Sequence, residues 1–191
     1  MSKKGRLIVI SAPSGTGKGT VIGEMLKLRP ELSVSVSATT REPRPGEAHG
    51  RHYFFVTREK FDEMIANDEF LEHETYAGNS YGTPIAPIQA RIADGLDTIL
   101  EIEVKGARSV WRRMDDVISI FISPPSLEEL RRRLIGRGTN DEAEIERRLA
   151  IAREEILAVD EFQFHVVNDV AERAAHEVLA ILDFNREDYI R

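Results

Sequence analysis

The sequence predicts an α/β protein, a parallel sheet with helices on both faces, carrying a β-rich insertion and a helical lid. Three observations predict it. The apolar run Leu7-Ile8-Val9-Ile10 passes through a small-residue stretch, 11–20, straight into a helical pattern. Two later runs, 98–104 (TILEIEV) and 117–122 (VISIFI), are apolar almost without interruption, as strands buried on both faces are. Between 33 and 82 the strand–helix rhythm stops, and the chain reads as short strands instead.

In chain order, Val21, Ile22, Met25, Leu26 and Leu28 recur at helical spacing until Pro30 stops the first helix. The insertion reads as strands at 33–37 (SVSVS) and 51–56 (RHYFFV) around one small helix, Phe61 to Ile65. Residues 98–104 then form a buried strand and 105–114 a helix; 117–122 form the next strand, ended by Pro124-Pro125. Ser126 with Glu129, and Thr139 with Glu142, have capping-box spacing and predict two helix starts. The stretch 126–148 is dense in arginine and reads as too poor in apolar surface to be core. Residues 164–167 are a last strand and 171–184 a closing helix. The expected organisation is a core of 1–36, 85–124 and 149–191, an insertion of 37–84 and a lid of 125–148.

The bulk numbers narrow the function. A length of 191 residues suits one domain with small inserted subdomains. A net charge of −7 speaks against nucleic acid as a partner and requires local arginines to hold any phosphate. With no cysteine, disulfides and thiolate–metal sites are excluded and a reducing cytoplasm is expected. The five histidines show no ligand spacing. The run Leu7 to Ile10 is too short for a membrane span or signal-peptide core, so no membrane association is expected. Nothing in the sequence sets the oligomeric state.

The stretch Ala12-Pro13-Ser14-Gly15-Thr16-Gly17-Lys18 has the spacing of a P-loop. Its glycines let backbone N–H groups turn inward as an anion nest. The following helix adds its positive end, and Lys18 reaches the β- and γ-phosphates of a nucleoside triphosphate. Its position between a strand and a helix argues against an ordinary glycine turn. Gly19 stands where Ser or Thr normally ligates magnesium, with Thr20 one residue later.

A P-loop alone says only nucleoside triphosphate. Inside the insertion, Arg41-Glu42-Pro43-Arg44-Pro45-Gly46-Glu47 sets two arginines three apart between prolines, which suits a phosphate dianion and equally suits a solvated turn. Beyond it lie Arg51-His52-Tyr53-Phe54-Phe55-Val56, Phe70-Leu71-Glu72 and Gly78-Asn79-Ser80-Tyr81-Gly82-Thr83. On these segments, in this order from Leu7 through Asp169, the chain resembles the guanylate kinases.

The resemblance implies a three-part molecule that moves the γ-phosphoryl group of ATP onto GMP, and onto dGMP, with Mg²⁺. By position, Arg41, Arg44, Tyr53 and Tyr81 match the family's GMP-phosphate ligands, and Ser37, Glu72 and Thr83 its guanine ligands. Read from the residues alone, the tyrosines are equally packing on a sheet face. For ATP, the matched positions are 12–20, from Ala12 to Thr20, with Asn168 of Val167-Asn168-Asp169 on the adenine side. Arg133, Arg137 and Arg148 match the lid's phosphate contacts, joining Lys18 in the catalytic set, while Arg131, Arg132 and Arg147 read as solvated helix charges. Glu101 and Glu103 end the strand 98–104 where a metal-holding acid sits; the family usually carries aspartate there, a departure from its pattern. Glu103 is expected at GMP or the metal. Mg²⁺ is expected mostly on phosphates and water, with Glu101 and Thr20 as the candidate direct ligands.

Two rivals remain on the residues. A phosphopeptide-binding module of the same fold would have lost the P-loop, yet Lys18 is present. A kinase for another phosphorylated acceptor, such as a ribose bisphosphate, would not need Ser37, Glu72 and Thr83 together.

Overall fold

The computed structural model describes residues 4–136 and 141–188, with side chains described as far as residue 184. Every residue of β1 (Leu7–Ser11) is buried, as befits a strand covered on both faces. After it come α1 (Lys18–Leu28), β2 (Ser33–Val34), β3 (Ala38–Thr39), β4 (Phe54–Phe55), α2 (Arg58–Ala66), β5 (Phe70–Tyr76), β6 (Asn79–Pro84) and α3 (Ile85–Ala93). Then follow β7 (Thr98–Glu101), α4 (Val104–Trp111), β8 (Val117–Ser123), α5 (Leu127–Gly136), α6 (Glu142–Ile156), β9 (Phe164–Val167) and α7 (Ala171–Asp188). The larger sheet has five strands in the order β2-β7-β1-β8-β9, with β2 parallel to β7 and β8 parallel to β9. The α/β fold read from the sequence is the fold observed.

Two compact units divide the chain. One takes Ser33–Leu100 and Lys105–Val117 with the chain up to Leu7. It holds a four-stranded sheet, β4-β3-β6-β5, packed on α2 through Ala38, Phe61, Met64 and Phe70. Phe61 and Phe70 stack with centroids 4.6 Å apart, and Thr57 caps α2 by accepting the Lys60 N–H at 3.2 Å. A buried ion pair, Arg6 to Asp97 at 2.7 Å, sits at the approach to β1 and β7; Asp97 also accepts the Arg6 backbone N–H at 3.0 Å.

The other unit takes Ile8–Leu32, Glu101–Val104 and the chain from Ile118 onward. Within it α1 packs on α7, and α5 on α6. Leu130, Leu134, Ile145, Leu149 and Ala152 form a core between α5 and α6. The arginine-dense stretch therefore buries an apolar stripe of its own, against the expectation that it was too polar. Its leucines recur at i, i+4 on a helix whose other faces carry the charge.

Several expected boundaries move. Of the run 33–37 only β2 is strand, on the larger sheet, where Ser35 N–H still donates to Ile99 O at 2.7 Å; β3 begins the smaller sheet just after the run. Of 51–56 only Phe54–Phe55 is strand. Tyr53 forms an isolated bridge with His49 instead. The strand expected over 98–104 stops at Glu101. Ile102 N–H still donates to Ile10 O at 3.3 Å, but Ile102 O accepts Lys18 Nζ at 3.1 Å, and α4 starts at Val104. That helix ends at Trp111, short of the expected 114, whereas α7 runs on to Asp188. Ser126 does cap α5, accepting the Glu129 N–H at 3.1 Å. The second cap is Asp141, which accepts the Glu144 N–H at 2.8 Å, whereas Thr139 lies outside the described residues. Helix α3 was not anticipated, although its buried Ile88 and Ile92 stand one helical turn apart.

Strands β5 and β6 join through Ala77-Gly78, with φ of 48° and 80°, the two positive values of a type I′ turn. Glycine accepts this conformation freely, but alanine does not. Ala77→Asn should therefore stabilise the protein by about 1 kcal/mol, since asparagine tolerates the left-handed region better. Urea unfolding should show a higher midpoint with an unchanged m-value.

Candidate active site

The residues expected at ATP, as far as they are described, lie in the second unit, beginning with the backbone of the phosphate loop. Gly15 and Gly17 have φ of 94° and 95°, so the chain reverses twice within three residues. Thr16 between them is fully buried. Two donors fix its carbonyl: Asn168 Nδ2 at 2.8 Å and Arg133 NH1 at 2.9 Å. Thr20 N–H and Val21 N–H return to Gly17 O at 3.0 and 3.1 Å, starting α1 directly behind the loop.

Lys18 sits at the first turn of α1 with its side chain only 16% exposed. Its ammonium donates to Ile102 O at 3.1 Å and lies 3.8 Å from Glu101 Oε1. Burial pushes the Lys18 ammonium below the ordinary lysine value, and the charges of Glu101, Glu103 and Glu155 pull it back up. Glu101 and Glu103 are both exposed beyond the point where the sheet ladder ends. A buried cation with carboxylates around it is poised for an anion of higher charge.

Helix α6 reaches the loop twice. Arg148 NH2 donates to Ser14 Oγ at 2.5 Å, and the Glu155 carboxylate, seven residues on, accepts the Ser14 backbone N–H. Burial, then the Glu103 charge, pushes the Glu155 carboxyl above its ordinary value, and its Oε2 is buried with no hydrogen-bond partner among the described residues. Sequence reasoning missed Glu155. The signal available was its i, i+7 spacing from Arg148, which places both on one helix face.

Arg133 and Asn168 stand in unexpected roles. Arg133 spends its guanidinium on Glu129 Oε1 at 2.9 Å, Thr16 O at 2.9 Å and Asn168 O at 3.0 Å. Asn168 is buried, its amide committed to Thr16 O. In this conformation both brace the loop. Arg137 lies outside the described residues.

The residues expected at GMP, Glu103 excepted, lie in the first unit. Thr83, fully buried on β6, donates its hydroxyl to Glu72 Oε1 at 2.5 Å across the β5–β6 pair, fixing the carboxylate's plane. Arg41 lies with its guanidinium carbon 5.4 Å from the Tyr53 ring centre, and Tyr53 meets Tyr81 edge-on at 6.2 Å. Ser37 anchors β4, its carbonyl accepting the Phe54 N–H at 2.8 Å. The Arg44 side chain is exposed. One arginine and two phenols thus gather together, and a hydroxyl and a carboxylate are paired across β5 and β6.

Comparison with known proteins bears on the family of the chain. The family model described as guanylate kinase matches residues 4–184. A guanylate kinase of Rubrobacter xylanophilus is 52% identical over 180 residues, covering 94% of each chain. One from Clostridioides difficile is 45% identical over 189 residues, covering 99% of this chain and 92% of its own. The crystal structure of guanylate kinase from Anaplasma phagocytophilum superposes with a TM-score of 0.74 at 35% identity, covering 96% of this chain and 87% of that one.

The loop geometry is open to a direct test at Gly17. A Cβ there would stand 2.8 Å from Asn168 Nδ2, at a φ that side chains rarely adopt. Gly17→Ala should cost about 1–2 kcal/mol of stability. It should also weaken inorganic triphosphate binding by about tenfold or more, read by calorimetry on a sample whose circular dichroism is unchanged.

Proposed function

The chain belongs to the guanylate kinase family, and we propose that it carries the reaction named for it, moving the γ-phosphoryl group of ATP onto GMP by direct in-line transfer. The observation that carries this reading is the Thr83–Glu72 hydrogen bond. It orients a carboxylate to accept the N1–H and N2–H₂ donors that guanine presents side by side, so the acceptor is a guanine nucleotide. The ribose 2′-hydroxyl has no role in that recognition, so dGMP is an acceptor as well.

The GMP phosphate is already an anion, so no side chain need act as nucleophile or base; catalysis is positioning and charge stabilisation. Arg41 and Arg44 hold the acceptor phosphate, with Tyr53 and Tyr81 alongside. Ser37 joins Glu72 and Thr83 at the base. On the donor side, loop amides 12–20 cradle ATP, Lys18 neutralises its terminal phosphates, and Arg148 and Arg137 meet the moving phosphoryl. Arg133 joins them by exchanging its hold on Thr16 O and Asn168 O for phosphate, while Asn168 fixes the adenine side. This divides the chain into a core, an acceptor-binding insertion (37–84) and a lid (125–148).

The residues present fit a magnesium ion held mainly by its substrate. Glu101, Glu103 and Thr20 offer hard oxygen ligands near Lys18, and among the described residues no three acidic, histidine or cysteine groups converge on one point. Glu101 and Thr20 would hold the metal directly or through water, with Glu103 shared between it and GMP. When bound, the ion offsets charge on the transferring phosphoryl group. Among the described residues no helix is long and apolar enough to cross a membrane. We assign the protein to the cytoplasm, with nucleotides rather than nucleic acid as its partners.

A coupled assay with ATP and each of GMP, dGMP, AMP and UMP tests the reading: turnover with the guanine nucleotides is expected, and preference for another acceptor overturns it. Glu72→Gln then tests the recognition itself. Exchanging one acceptor oxygen for an amide donor loses a charged hydrogen bond to guanine, about 1.5–3 kcal/mol, or roughly 10- to 150-fold in kcat/KM for GMP. AMP, whose N1 is an acceptor, should lose far less. A GMP/AMP ratio that moves by less than about twofold would exclude Glu72 as the guanine reader.

A further inference from the structure

The loop that carries Arg41 and Arg44 is closed by a third charged residue with no assigned role. Arg44-Pro45-Gly46-Glu47 is a tight turn, with Glu47 N–H donating to Arg44 O at 3.0 Å and Gly46 at φ 88°. Proline and glycine at its two central positions are the residues a type II turn requires. The turn folds the Glu47 carboxylate back over the loop. Its Oε1 accepts Arg41 NH2 at 2.8 Å, and its Oε2 accepts Arg41 NH2 at 3.0 Å and Arg44 backbone N–H at 2.7 Å. Arg41 NH1 donates to Glu42 O at 2.7 Å, and the rings of Tyr53 and Phe55 lie 5.4 and 5.9 Å from the guanidinium carbon. The side chains of Arg41 and Glu47 are only 14% and 19% exposed.

We propose that Glu47 is the positioning residue of the acceptor-phosphate seat, holding Arg41 through its guanidinium and Arg44 through its backbone. Glu47 touches no substrate in this account, which rests on the reading of Arg41 and Arg44 as phosphate ligands. A guanidinium has five N–H donors in a fixed fork, and Glu47 and Glu42 O use only part of that set. The rest stay available in a plane that the carboxylate and the two rings have already set. An arginine so held loses little freedom when the phosphate arrives, and preorganisation of that kind strengthens binding without adding a contact. The mutual hydrogen bond is also the first cause holding the Glu47 carboxyl below, and the Arg41 guanidinium above, their ordinary values. Both partners are therefore charged wherever the enzyme works.

The test separates phosphate from base by comparing GMP with guanosine in calorimetric titration. Arg41→Ala should weaken GMP and leave guanosine unchanged; if it does not, the phosphate-seat reading itself fails. Glu47→Gln should weaken GMP about tenfold, the scale of one charge-assisted hydrogen bond, with guanosine affinity and saturating kcat within about twofold. In an Arg41→Ala background, Glu47→Gln should remove only the smaller share that acts through Arg44. The proposal is overturned if Glu47→Gln leaves GMP affinity unchanged, or tightens it as removal of a competing anion would. Equal weakening of guanosine, which marks a general disturbance of the fold, overturns it too.

Discussion

The phosphate-loop backbone, with left-handed glycines at 15 and 17, leaves the carbonyl of Thr16 to side-chain donors. A backbone arranged this way cannot satisfy itself as a helix or strand does, so its outward groups need partners from elsewhere in the chain. Asn168 and Arg133 are those partners, one from the end of β9 and one from α5. Their grip ties the position of α5, the β9–α7 turn and the start of α1 to a single oxygen. Lys18 extends the same dependence to the sheet, since it binds Ile102 O just past the end of β7 and pairs with Glu101, the last residue of that strand.

The unit proposed to bind the acceptor solves the matching problem with side chains. A phosphate seat made of arginines suffers from their length and freedom, and here a turn, a carboxylate and two aromatic rings remove that freedom. Recognition of the base works alike, with a buried hydroxyl orienting an accessible carboxylate. In both units the residues proposed to meet ligand are held by hydrogen bonds from neighbouring residues. Arg148 and Glu155, reaching Ser14 from one face of α6, repeat the pattern on the donor loop.

How much of this was legible in sequence follows from how local each signal is. The phosphate loop, β8 and β9 were plain because glycine spacing and unbroken apolar runs act over a few residues. The acceptor residues were recognisable only by resemblance; Arg41 and Arg44 read alone as a turn. The end of β7 was misplaced because a lysine eighty-four positions away competes for Ile102 O. That SVSVS is strand only over its first two residues, with a second sheet starting just after it, is likewise a tertiary decision, as alternation says nothing of which partner a strand takes. Glu47 and Glu155 were passed over for the same reason: a carboxylate's meaning lies in what it faces.

The strand order of the larger sheet bears on how the chain is made. β1, translated first, ends in the middle of the sheet, between β7 and β8. On a ribosome releasing residues from the N-terminus, Leu7 to Ile10 must wait for partners beginning at Thr98 and Val117, and β9 closes the edge only after Phe164 has emerged. The most apolar segment of the molecule is thus the one that stays uncovered longest during synthesis. Early in translation the nascent chain presents a sticky tetrapeptide with no native neighbour.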